Sequence, residues 1–396
     1  MAYPTYPMID LEIQSVDLQP SFLELTWSDE TTSRFHYIWL RDNCLCDTCH
    51  HPQTHQKMVW LKNIQNNIRP RTVKNTTEII DITWDENSLH HSHFDAAWLH
   101  AHCYSTERRV KRKFRPKLWD AKIANTLDAL DYSHVFNGGQ SELAMLQHVR
   151  DYGFVRLFNV PTDPDETEIL GRRFGYPRET NWGITMDILV ETNPTNIANT
   201  GAPIAPHTDD SFRYEMPGIE MFHCIEASQA LGGESILVDG FNVAETLRAE
   251  DPFAFNLLTT YDAPQFALDT ETELRARGKI FSLDRDGVVV GIRYCECTQA
   301  PLDLPEEQVI PFYDALRKLT ELVERNSLIH KFRLYPGETV VFDNQRILHG
   351  RTEFNGRRRL RNVYIDRDSF HSRLRILGQK FRTNDCHFEL PSGARH

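Results

Sequence analysis

The stretch GETVVFDNQRILHGR, residues 337–351, joins a strand-like run to a polar turn and then to a histidine. The β-branched and aromatic residues of TVVF favour a strand, and the polar residues of DNQR favour a turn. The pattern therefore predicts a strand and turn that end at His349. Histidine is the commonest metal ligand in proteins, so His349 is a candidate ligand.

A second candidate site is PHTDD, residues 206–210. His207 and Asp209 are two residues apart on a predicted strand, and side chains at that spacing point to the same face. Alone this pattern is a weak signal, but His349 would complete a set of two histidines and one carboxylate. Three ligands on one face of an octahedron leave three positions open, as in the non-haem Fe(II) oxygenases. The sequence therefore predicts an Fe(II) site at these three residues.

An arginine-rich segment follows His349. An oxygenase of this type needs a reductant, and the distal carboxylate of 2-oxoglutarate suits the two parallel donors of an arginine. If GRRRLRNVYID, residues 356–366, forms a strand, alternation places Arg358 on the same face as Tyr364. We therefore predict that Arg358 binds the co-substrate. The arginines predicted on the opposite, solvated face are Arg357, Arg359 and Arg361.

The cysteines of RDNCLCDTCHH, residues 41–51, predict a second metal site. Thiolates suit Zn(II), which takes four ligands in a closed tetrahedron when its role is structural. The predicted cysteine ligands are Cys44, Cys46 and Cys49. The candidates for the fourth ligand are His50, His51, His55, His90, His91, His93, His102 and Cys103. A ligand from a separate segment such as LHHSHF, residues 89–94, would join two parts of the chain, and the closed site would leave no position for a substrate.

Composition and charge limit the possible functions. The 396 residues carry 44 basic and 56 acidic side chains, and the net charge of −12 argues against nucleic-acid binding. No apolar run approaches the ~18 residues that a membrane helix needs, and MAYPTYPMIDLEIQ, residues 1–14, has no pattern of a targeting signal. The basic run ERRVKRKFRPK, residues 107–117, is interpreted as a solvated helix face or a linker. We therefore expect a cytoplasmic protein without a nucleic-acid or membrane partner.

The use of cysteine agrees with this expectation. Eight cysteines without a targeting signal fit a reducing compartment and metal binding better than a disulfide framework. Cys295 and Cys297 lie two residues apart on a predicted strand. Because no histidine lies near them in the sequence, we interpret them as packing residues rather than as a further metal pair.

The distribution of segments predicts two domains and a connector. Short strand-like runs such as FLELTWSD and TTEIIDITW indicate a small β-rich N-terminal domain at residues 1–105. Residues 106–140 form the predicted connector. Over residues 141–396, helical segments accompany many short strands, which favours a β-barrel or sandwich decorated with helices. No internal repeat is evident in the sequence.

With these residues in place, the sequence resembles the γ-butyrobetaine dioxygenase and trimethyllysine dioxygenase family, within the taurine dioxygenase-like 2-oxoglutarate oxygenases. The resemblance covers almost the whole chain and rests on WLRDNCLCDTC, ITW, HTD, HCI, GGES, VDGFNV, FDNQRILHGR and SRLRIL. It implies a mainly β protein with flanking helices, in which a zinc-binding N-terminal domain precedes a double-stranded β-helix (jelly-roll) that holds iron. It also implies a homodimer.

The resemblance assigns residues to each cofactor. It implies that His90, rather than His91 or His93, completes the zinc site of the three cysteines, and that His207, Asp209 and His349 bind Fe(II). It places Arg358 and Ser235 at the co-substrate carboxylate. The implied reaction consumes O2 and 2-oxoglutarate, hydroxylates an unactivated C–H bond, and releases succinate and CO2.

The cationic end of the substrate pocket departs from the family pattern. Relatives enclose a trimethylammonium group in aromatic faces, because the ring quadrupole attracts a cation that cannot donate hydrogen bonds. Two expected members of this cage are present, Trp182 and Tyr364. The other cage positions align with Arg178, Asn199 and Asp210. The carboxylate of Asp210 could still favour a cation, and a protonated amine would also donate a hydrogen bond to it.

At the anionic end of the pocket, Asn196 matches an asparagine that relatives use for the substrate carboxylate. In GIRYCECTQ, residues 291–299, Arg293 is the expected anion-binding group or, as an alternative, a surface residue. We therefore expect a small zwitterionic substrate, a γ-butyrobetaine-like amine or quaternary-ammonium compound. The alternatives are a betaine-related phosphonate, a protein side chain, and a catalytically inactive, zinc-stabilised binding protein.

Overall fold

The chain divides into two units in the computed structural model, Met1–Phe114 with Gly378–Glu389 and Arg115–Leu377 with Leu390–His396. The structure describes residues 11–86, 89–192, 194, 196–227, 232–383 and 390. Most of the N-terminal stretch on which the prediction of no targeting signal rests lies outside these residues. Within the part of the chain that is described, no helix combines the length and apolar character needed to cross a membrane.

The first unit contains two antiparallel three-stranded sheets, each followed by a short helix. The elements are β1 (Ile13–Leu18), β2 (Phe22–Trp27), β3 (Thr32–His36), α1 (Tyr37–Asp42), β4 (Pro70–Asn75), β5 (Ile79–Trp84), β6 (His91–Asp95), α2 (Ala96–His102) and α3 (Thr106–Arg112). The burial of β2, β3, β5 and β6 alternates residue by residue, so each strand turns one face to a core and the other to solvent. Residues 107–112 of the basic run lie in α3, in which no residue is buried, and residues 113–117 follow the helix.

The two sheets of the first unit form an internal repeat. In the first, the indole of Trp27 donates a hydrogen bond to Ser33 (2.8 Å), and in the second Trp84 donates to Ser92 (2.7 Å). The expectation of no internal repeat was therefore wrong. The paired tryptophan and serine are six residues apart in the first sheet and eight in the second, so the two segments do not align without a gap.

The second unit contains the remaining strands and helices. They are β7 (Leu130–Asp131), α4 (Tyr132–Phe136), α5 (Gln140–Tyr152), β8 (Phe154–Phe158), α6 (Glu166–Phe174), β9 (Thr185–Leu189), β10 (Ile204–His207), β11 (Ile219–Ala227), β12 (Ser235–Asp239), α7 (Gly240–Glu250), α8 (Pro252–Thr260), β13 (Asp262–Leu268), β14 (Glu273–Lys279), β15 (Phe281–Leu283), β16 (Val289–Ile292), α9 (Glu306–Val323), β17 (Ile329–Phe332), β18 (Thr339–Asp343), β19 (Ile347–Arg351), β20 (Arg358–Ile365) and α10 (Arg367–Phe381).

Two sheets form the frame of the second unit. One has six strands in the order β7-β8-β18-β11-β20-β9, and the other has four in the order β10-β19-β12-β17. An apolar core joins them, with Leu237 and Ile347 from the four-stranded sheet packed among Phe154, Val340 and Leu360 from the six-stranded sheet. The predicted mainly β class with flanking helices is confirmed, and the two sheets agree with the expected double-stranded β-helix.

A buried ion pair fixes the turn between β18 and β19. Arg346 donates to Asp239 (2.9 Å), and the two side chains are only 2% and 0% exposed. Asp239 also accepts a hydrogen bond from the backbone of Phe241 at the start of α7 (3.2 Å), while Arg346 donates to the carbonyls of Lys117 and Asp151. The pair therefore ties β19 to α7 and to the segment before α5.

We expect Arg346→Met to lower the free energy of unfolding by about 3–5 kcal/mol, because it leaves the buried Asp239 carboxylate without a cationic partner. Urea titration followed by circular dichroism would measure the loss. The matched control is Arg317→Met, which removes an exposed pair with Asp314 and should cost less than about 1 kcal/mol. Equal costs for the two variants would contradict a special role of the buried pair.

Candidate active site

Two adjacent strands and one turn bring the predicted iron ligands together. Strand β10 pairs with β19 so that His207 lies directly opposite His349. The carboxylate oxygen Oδ1 of Asp209 lies 3.0 Å from Nε2 of His207 and 3.5 Å from Nε2 of His349. All three ligand atoms lie within 4.8 Å of one another, so they could hold one metal ion.

The local structure differs from the prediction at two points. β10 ends at His207, so Asp209 lies in the following turn and does not share a strand with it. The strand ends because Thr208 donates its N–H to the carbonyl of Tyr294 (2.7 Å) and Asp210 adopts a positive φ of 52°. His349 is the middle residue of β19 rather than the end of a turn.

Several groups fix the orientation of Asp209. Asn344 accepts a hydrogen bond from its N–H (2.8 Å) and donates to its carbonyl (3.0 Å). The hydroxyl of Tyr364 donates to Oδ2 of Asp209 (2.7 Å), which leaves Oδ1 directed at the two histidines. Burial opposes ionisation of this carboxyl group, but the hydrogen bonds and charges of His207 and His349 hold its pKa well below the usual value. Asp209 is therefore a carboxylate at neutral pH.

The two histidines differ in protonation. Although burial disfavours the charged form of His207, the hydrogen bond and charge of Asp209 raise its pKa to about 9. Burial and the charge of His207 lower the pKa of His349. A metal ion would replace the proton on His207, and the resulting set of two imidazole nitrogens and one carboxylate oxygen suits Fe(II).

A cavity with about 540 Å³ of empty space, part of it open to solvent, borders this site. Its lining includes all three candidate ligands together with Arg358 and Ser235. The apolar lining residues come from both sheets: Ile188, Ile204, Phe222, Ile236, Leu237, Val340 and Leu360. The site is therefore a largely apolar cavity with a metal-binding end and two arginines, Arg351 and Arg358, in its lining.

The arginines of β20 separate by alternation. Arg358 lines the cavity, whereas Arg359 and Arg361 both pair with Asp187 on β9 (2.8 and 3.4 Å). Arg357, Arg359 and Arg361 were predicted to lie on a solvated face. Arg357 is exposed, as expected, but the prediction is wrong for Arg359 and Arg361, which are partly buried in these ion pairs.

Arg358 has no carboxylate within ion-pair distance among the described residues. Its guanidinium lies over the ring of Phe354, 5.5 Å from the centroid. Burial lowers its pKa to about 10, so it remains protonated at neutral pH. Even a partly buried cation such as Arg358 is costly without an anion, and a ligand could supply one. The cavity therefore fits the distal carboxylate of 2-oxoglutarate, with the buried hydroxyl of Ser235 in the same lining.

The residues predicted to hold a substrate cation already contact a cation of the chain. Arg213 donates to Asp210 (2.5 Å), and its guanidinium lies 5.2 Å from the ring centroid of Trp182 and 5.9 Å from that of Phe212. Burial and the charge of Asp209 together raise the pKa of Asp210 to about 6, although Arg213 opposes this rise. Arg213 was not predicted from the sequence. Its position three residues after Asp210 is the spacing that could have indicated this ion pair.

Three other residues that were aligned with the substrate pocket make contacts of their own. Asn196 accepts a hydrogen bond from the N–H of Ala198 (2.9 Å), and Asn199 donates to Glu191. Arg178 donates to the carbonyl of Glu215 (2.9 Å). None of these side chains is part of the cavity lining, although Ala198 is. A substrate role for Asn196 and Asn199 stays a prediction.

Arg293 is neither exposed nor directed at the cavity. It is 1% exposed and donates to the carbonyls of Ser211 (2.6 Å), Arg213 (2.8 Å) and Tyr214 (3.2 Å). The surface alternative is therefore wrong, and the structure gives the guanidinium backbone partners in place of a substrate anion. Arg293 fixes the loop that carries Arg213.

A further arginine that the sequence analysis missed supports the cavity wall. Arg351, two residues after His349, donates to the carbonyls of Ala198 (2.8 Å) and Thr200 (2.5 Å). It holds the segment that follows Asn196 against β19. The motif HGR contained this residue, but its partners lie too far away in the sequence to be inferred from spacing.

The cysteine cluster forms a separate four-ligand site in the first unit. Nε2 of His90 lies 3.2 Å from Sγ of Cys44, 3.6 Å from that of Cys46 and 3.5 Å from that of Cys49. His91 and His93 instead contact Thr83 and Asp81. The structure therefore selects His90 from the candidates for a fourth ligand.

Neighbouring side chains support the cysteines as metal ligands. Arg41 donates to Sγ of Cys49 (3.3 Å) and pairs with Glu86 (3.0 Å). Burial opposes ionisation of Cys46, but hydrogen bonds from Thr48 lower its pKa. Burial raises the pKa of Cys44 to about 12, so its thiolate needs a metal ion as a partner. Three sulfurs and one nitrogen around a single point are the donor set of a structural zinc site.

Comparison with known proteins finds a matching family for each of the two units. Residues 113–364 match the family described as "Taurine catabolism dioxygenase TauD, TfdA family", and residues 15–100 match "Gamma-butyrobetaine hydroxylase-like, N-terminal". The chain is 32% identical to γ-butyrobetaine dioxygenase of Homo sapiens, over 90% of this chain and 95% of the relative. It is 30% identical to γ-butyrobetaine dioxygenase of a Pseudomonas species (95% and 98%) and 30% identical to trimethyllysine dioxygenase of Meyerozyma guilliermondii (93% and 96%).

Proposed function

Because the chain belongs to the TauD, TfdA dioxygenase family, it is a 2-oxoglutarate-dependent dioxygenase, and we propose that it hydroxylates a small zwitterionic amine or quaternary-ammonium compound. The co-products of this reaction would be succinate and CO2. One observation carries the proposal: the same cavity is lined by a three-ligand metal site and by Arg358, a partly buried arginine that has no carboxylate partner among the described residues. A catalytically inactive binding protein would not need a metal site and a co-substrate arginine in the same cavity.

Different residues of the cavity would bind the metal ion and the co-substrate. His207, Asp209 and His349 would hold Fe(II), which with 2-oxoglutarate and O2 supplies the oxidising power for hydroxylation. Tyr364 occupies Oδ2 of Asp209, so the carboxylate offers one oxygen to the metal and leaves other positions open. Arg358 and Ser235 would bind the distal carboxylate of 2-oxoglutarate. The apolar walls exclude water from the reacting atoms.

The substrate class is supported by the relatives and by the residues next to the metal site. The relatives are named for γ-butyrobetaine and trimethyllysine, which both carry a trimethylammonium group. Asp210 directly follows a candidate iron ligand, and Trp182 lies within reach of the same guanidinium as Asp210. We assign the substrate cation to these two residues, where it would compete with Arg213. Asn196 and Asn199 lie on the segment that borders the cavity and are our candidates for the anionic end.

The direct test measures succinate and a product heavier by one oxygen atom. The purified protein is given Fe(II), 2-oxoglutarate and O2 with γ-butyrobetaine, trimethyllysine, a trimethylammonium phosphonate, or the unmethylated amine of each. We expect one compound to couple succinate formation to its own hydroxylation. Succinate that no compound enhances would contradict the substrate class, and no succinate with Fe(II) bound would favour the inactive binding protein.

Arg358 provides a matched pair of variants for the co-substrate site. We expect Arg358→Ala to raise the KM for 2-oxoglutarate by about 10–100-fold, because it removes a charge-assisted pair worth roughly 1.5–3 kcal/mol. Arg359→Ala removes an arginine that pairs with Asp187 outside the cavity, and its KM should stay within about 2-fold of the wild-type value. Equal effects of the two substitutions would refute the assignment.

Arg213 tests the position of the substrate cation. With Arg213→Ala, Asp210 and Trp182 lose their internal cation, so we expect the KM for a cationic substrate to fall several-fold. Asp210→Ala should raise the same KM by about 10-fold or more, since it removes a buried charge pair. Both values come from steady-state kinetics. A large rise in KM for Arg213→Ala would instead indicate that Arg213 binds the anionic end of the substrate.

We also propose that Cys44, Cys46, Cys49 and His90 hold a structural Zn(II) in a zinc-binding N-terminal domain. The closed donor set supports this role, as does the bond from Arg41 to Cys49. The cytoplasmic location and the homodimeric state stay predictions.

A pair of histidine variants tests the proposed zinc site. We expect His90→Ala to lose zinc and to lower the thermal midpoint of the first unit, because a structural zinc contributes directly to folding. His93→Ala changes a histidine three residues away that pairs with Asp81, and it should keep one zinc per chain. Elemental analysis and thermal melting measure both variants. Loss of zinc from His93→Ala but not from His90→Ala would reassign the ligand.

A further inference from the structure

Cys295 and Cys297 lie in contact at the protein surface. Cys295 begins a short 3-10 helix, Glu296–Thr298, and the two Sγ atoms are 2.9 Å apart. Cys295 is buried at 4% exposure, whereas Cys297 is exposed. Packing, the role expected from the sequence, therefore accounts for Cys295 alone. It does not explain a second thiol that is open to solvent and directed at the first.

The thiol pair is connected to the candidate iron ligands through the backbone. Tyr294, the residue before Cys295, accepts a hydrogen bond from the N–H of Thr208 (2.7 Å) and donates its own N–H to the hydroxyl of Thr208 (2.9 Å). Thr208 lies between His207 and Asp209. A change in the backbone at Cys295 is therefore passed to the segment that presents two of the three ligands.

The helix α9 holds the same segment from the other side. The hydroxyl of Thr320 donates to Glu296 (2.7 Å) and contacts the hydroxyl of Tyr294 (3.1 Å). These contacts restrain the segment on the side of α9, so a contraction between the two sulfurs would be expected to move Thr208 rather than α9.

We propose that Cys295 and Cys297 are a reversible oxidation site, at which a hydroperoxide forms a disulfide that slows the dioxygenase. The effect on turnover rests on the proposed function, whereas formation of the disulfide does not. The hydrogen bond from Cys295 lowers the pKa of Cys297 and raises that of Cys295, so Cys297 is the nucleophile and Cys295 the resolving thiol.

The chemistry balances with a hydroperoxide as the sole oxidant. The thiolate of Cys297 attacks the terminal oxygen and the O–O bond breaks, so Cys297 becomes a sulfenic acid. The leaving oxygen takes up a proton from solvent, equal to the one that the Cys297 thiol gave up, and departs as an alcohol (water from hydrogen peroxide). Cys295 then attacks the sulfur of Cys297, gives up its proton, and releases water as the S–S bond forms. Two thiols thus supply the two electrons that reduce one hydroperoxide. A dithiol reductant reverses the reaction by thiol–disulfide exchange.

The other cysteines can be separated from this pair. Cys44, Cys46 and Cys49 belong to the candidate zinc site, and Cys103 and Cys224 are buried. The eighth cysteine, Cys386, lies outside the described residues, so the test uses a Cys386→Ser background. Iron is added only after the oxidant is removed, because free Fe(II) would itself react with peroxide.

The test oxidises zinc-loaded, iron-free protein with one equivalent of hydrogen peroxide. Peptide mass spectrometry should show a peptide that has lost two hydrogen atoms and contains both thiols, and dithiothreitol should restore it. After Fe(II) is added, oxidised protein should turn over on the order of 10-fold or more slowly than reduced protein, as expected for displaced reacting groups. Fe(II) affinity is measured on the same samples, and a chromogenic chelator monitors zinc release.

Cys297→Ser is the deciding variant, because it removes the nucleophile and retains the buried Cys295. It should form no disulfide and should keep its turnover and Fe(II) affinity after peroxide. Equal inactivation of this variant, or inactivation that follows zinc release, would overturn the proposal. If the reduced protein hydroxylates no compound tested, the proposed function fails, while the mass change and the Fe(II) affinity still decide the oxidation site.

Discussion

The hydrogen bonds between Asn344 and the two peptide groups of Asp209 determine the shape of the active site. Asn344 belongs to the turn between β18 and β19, so the turn that leads to His349 also holds the carboxylate ligand. The next two residues of the turn, Gln345 and Arg346, bind further segments of the second unit. Gln345 donates to the carbonyls of Met216 and Pro217, and Arg346 pairs with Asp239. Since a metal site requires its ligands within fractions of an ångström, one rigid turn that contacts both ligand segments is an economical solution.

Arginines that are buried or partly buried perform two different tasks in the second unit, and their partners distinguish them. Arg293 and Arg351 donate to backbone carbonyls, and Arg346 pairs with a carboxylate. Such contacts satisfy the charge inside the protein and make these residues structural. Arg358 faces a cavity, and no carboxylate of the described chain pairs with it. An arginine whose charge is satisfied by groups of the protein supports the fold, whereas an arginine without an anionic partner is available to bind a ligand.

The sequence predicted the groups whose arrangement depends on local geometry. Strand alternation separated Arg358 from its neighbours, and the spacing of histidine and carboxylate indicated the metal site. Sequence reasoning failed where the partner lies far away along the chain. It placed Asp209 on a strand because nothing in the spacing reveals the bond between Thr208 and Tyr294 that ends β10. It also could not show that Arg293 binds a distant loop, or that two sheets with few identical residues share one design.

The Asp210–Arg213 pair has a consequence for the type of cation that the site can accept. Arg213 gives Asp210 a hydrogen bond as well as a charge, and its guanidinium lies over the ring of Trp182. A trimethylammonium group that displaced it would recover the contact with the ring but not the hydrogen bond, because it has no N–H donor. A protonated amine would recover both. If the substrate cation binds at Asp210 and Trp182, as we propose, an amine is therefore favoured over a quaternary ammonium, unless Arg213 keeps its bond to Asp210 and the substrate binds the other face of the Trp182 ring.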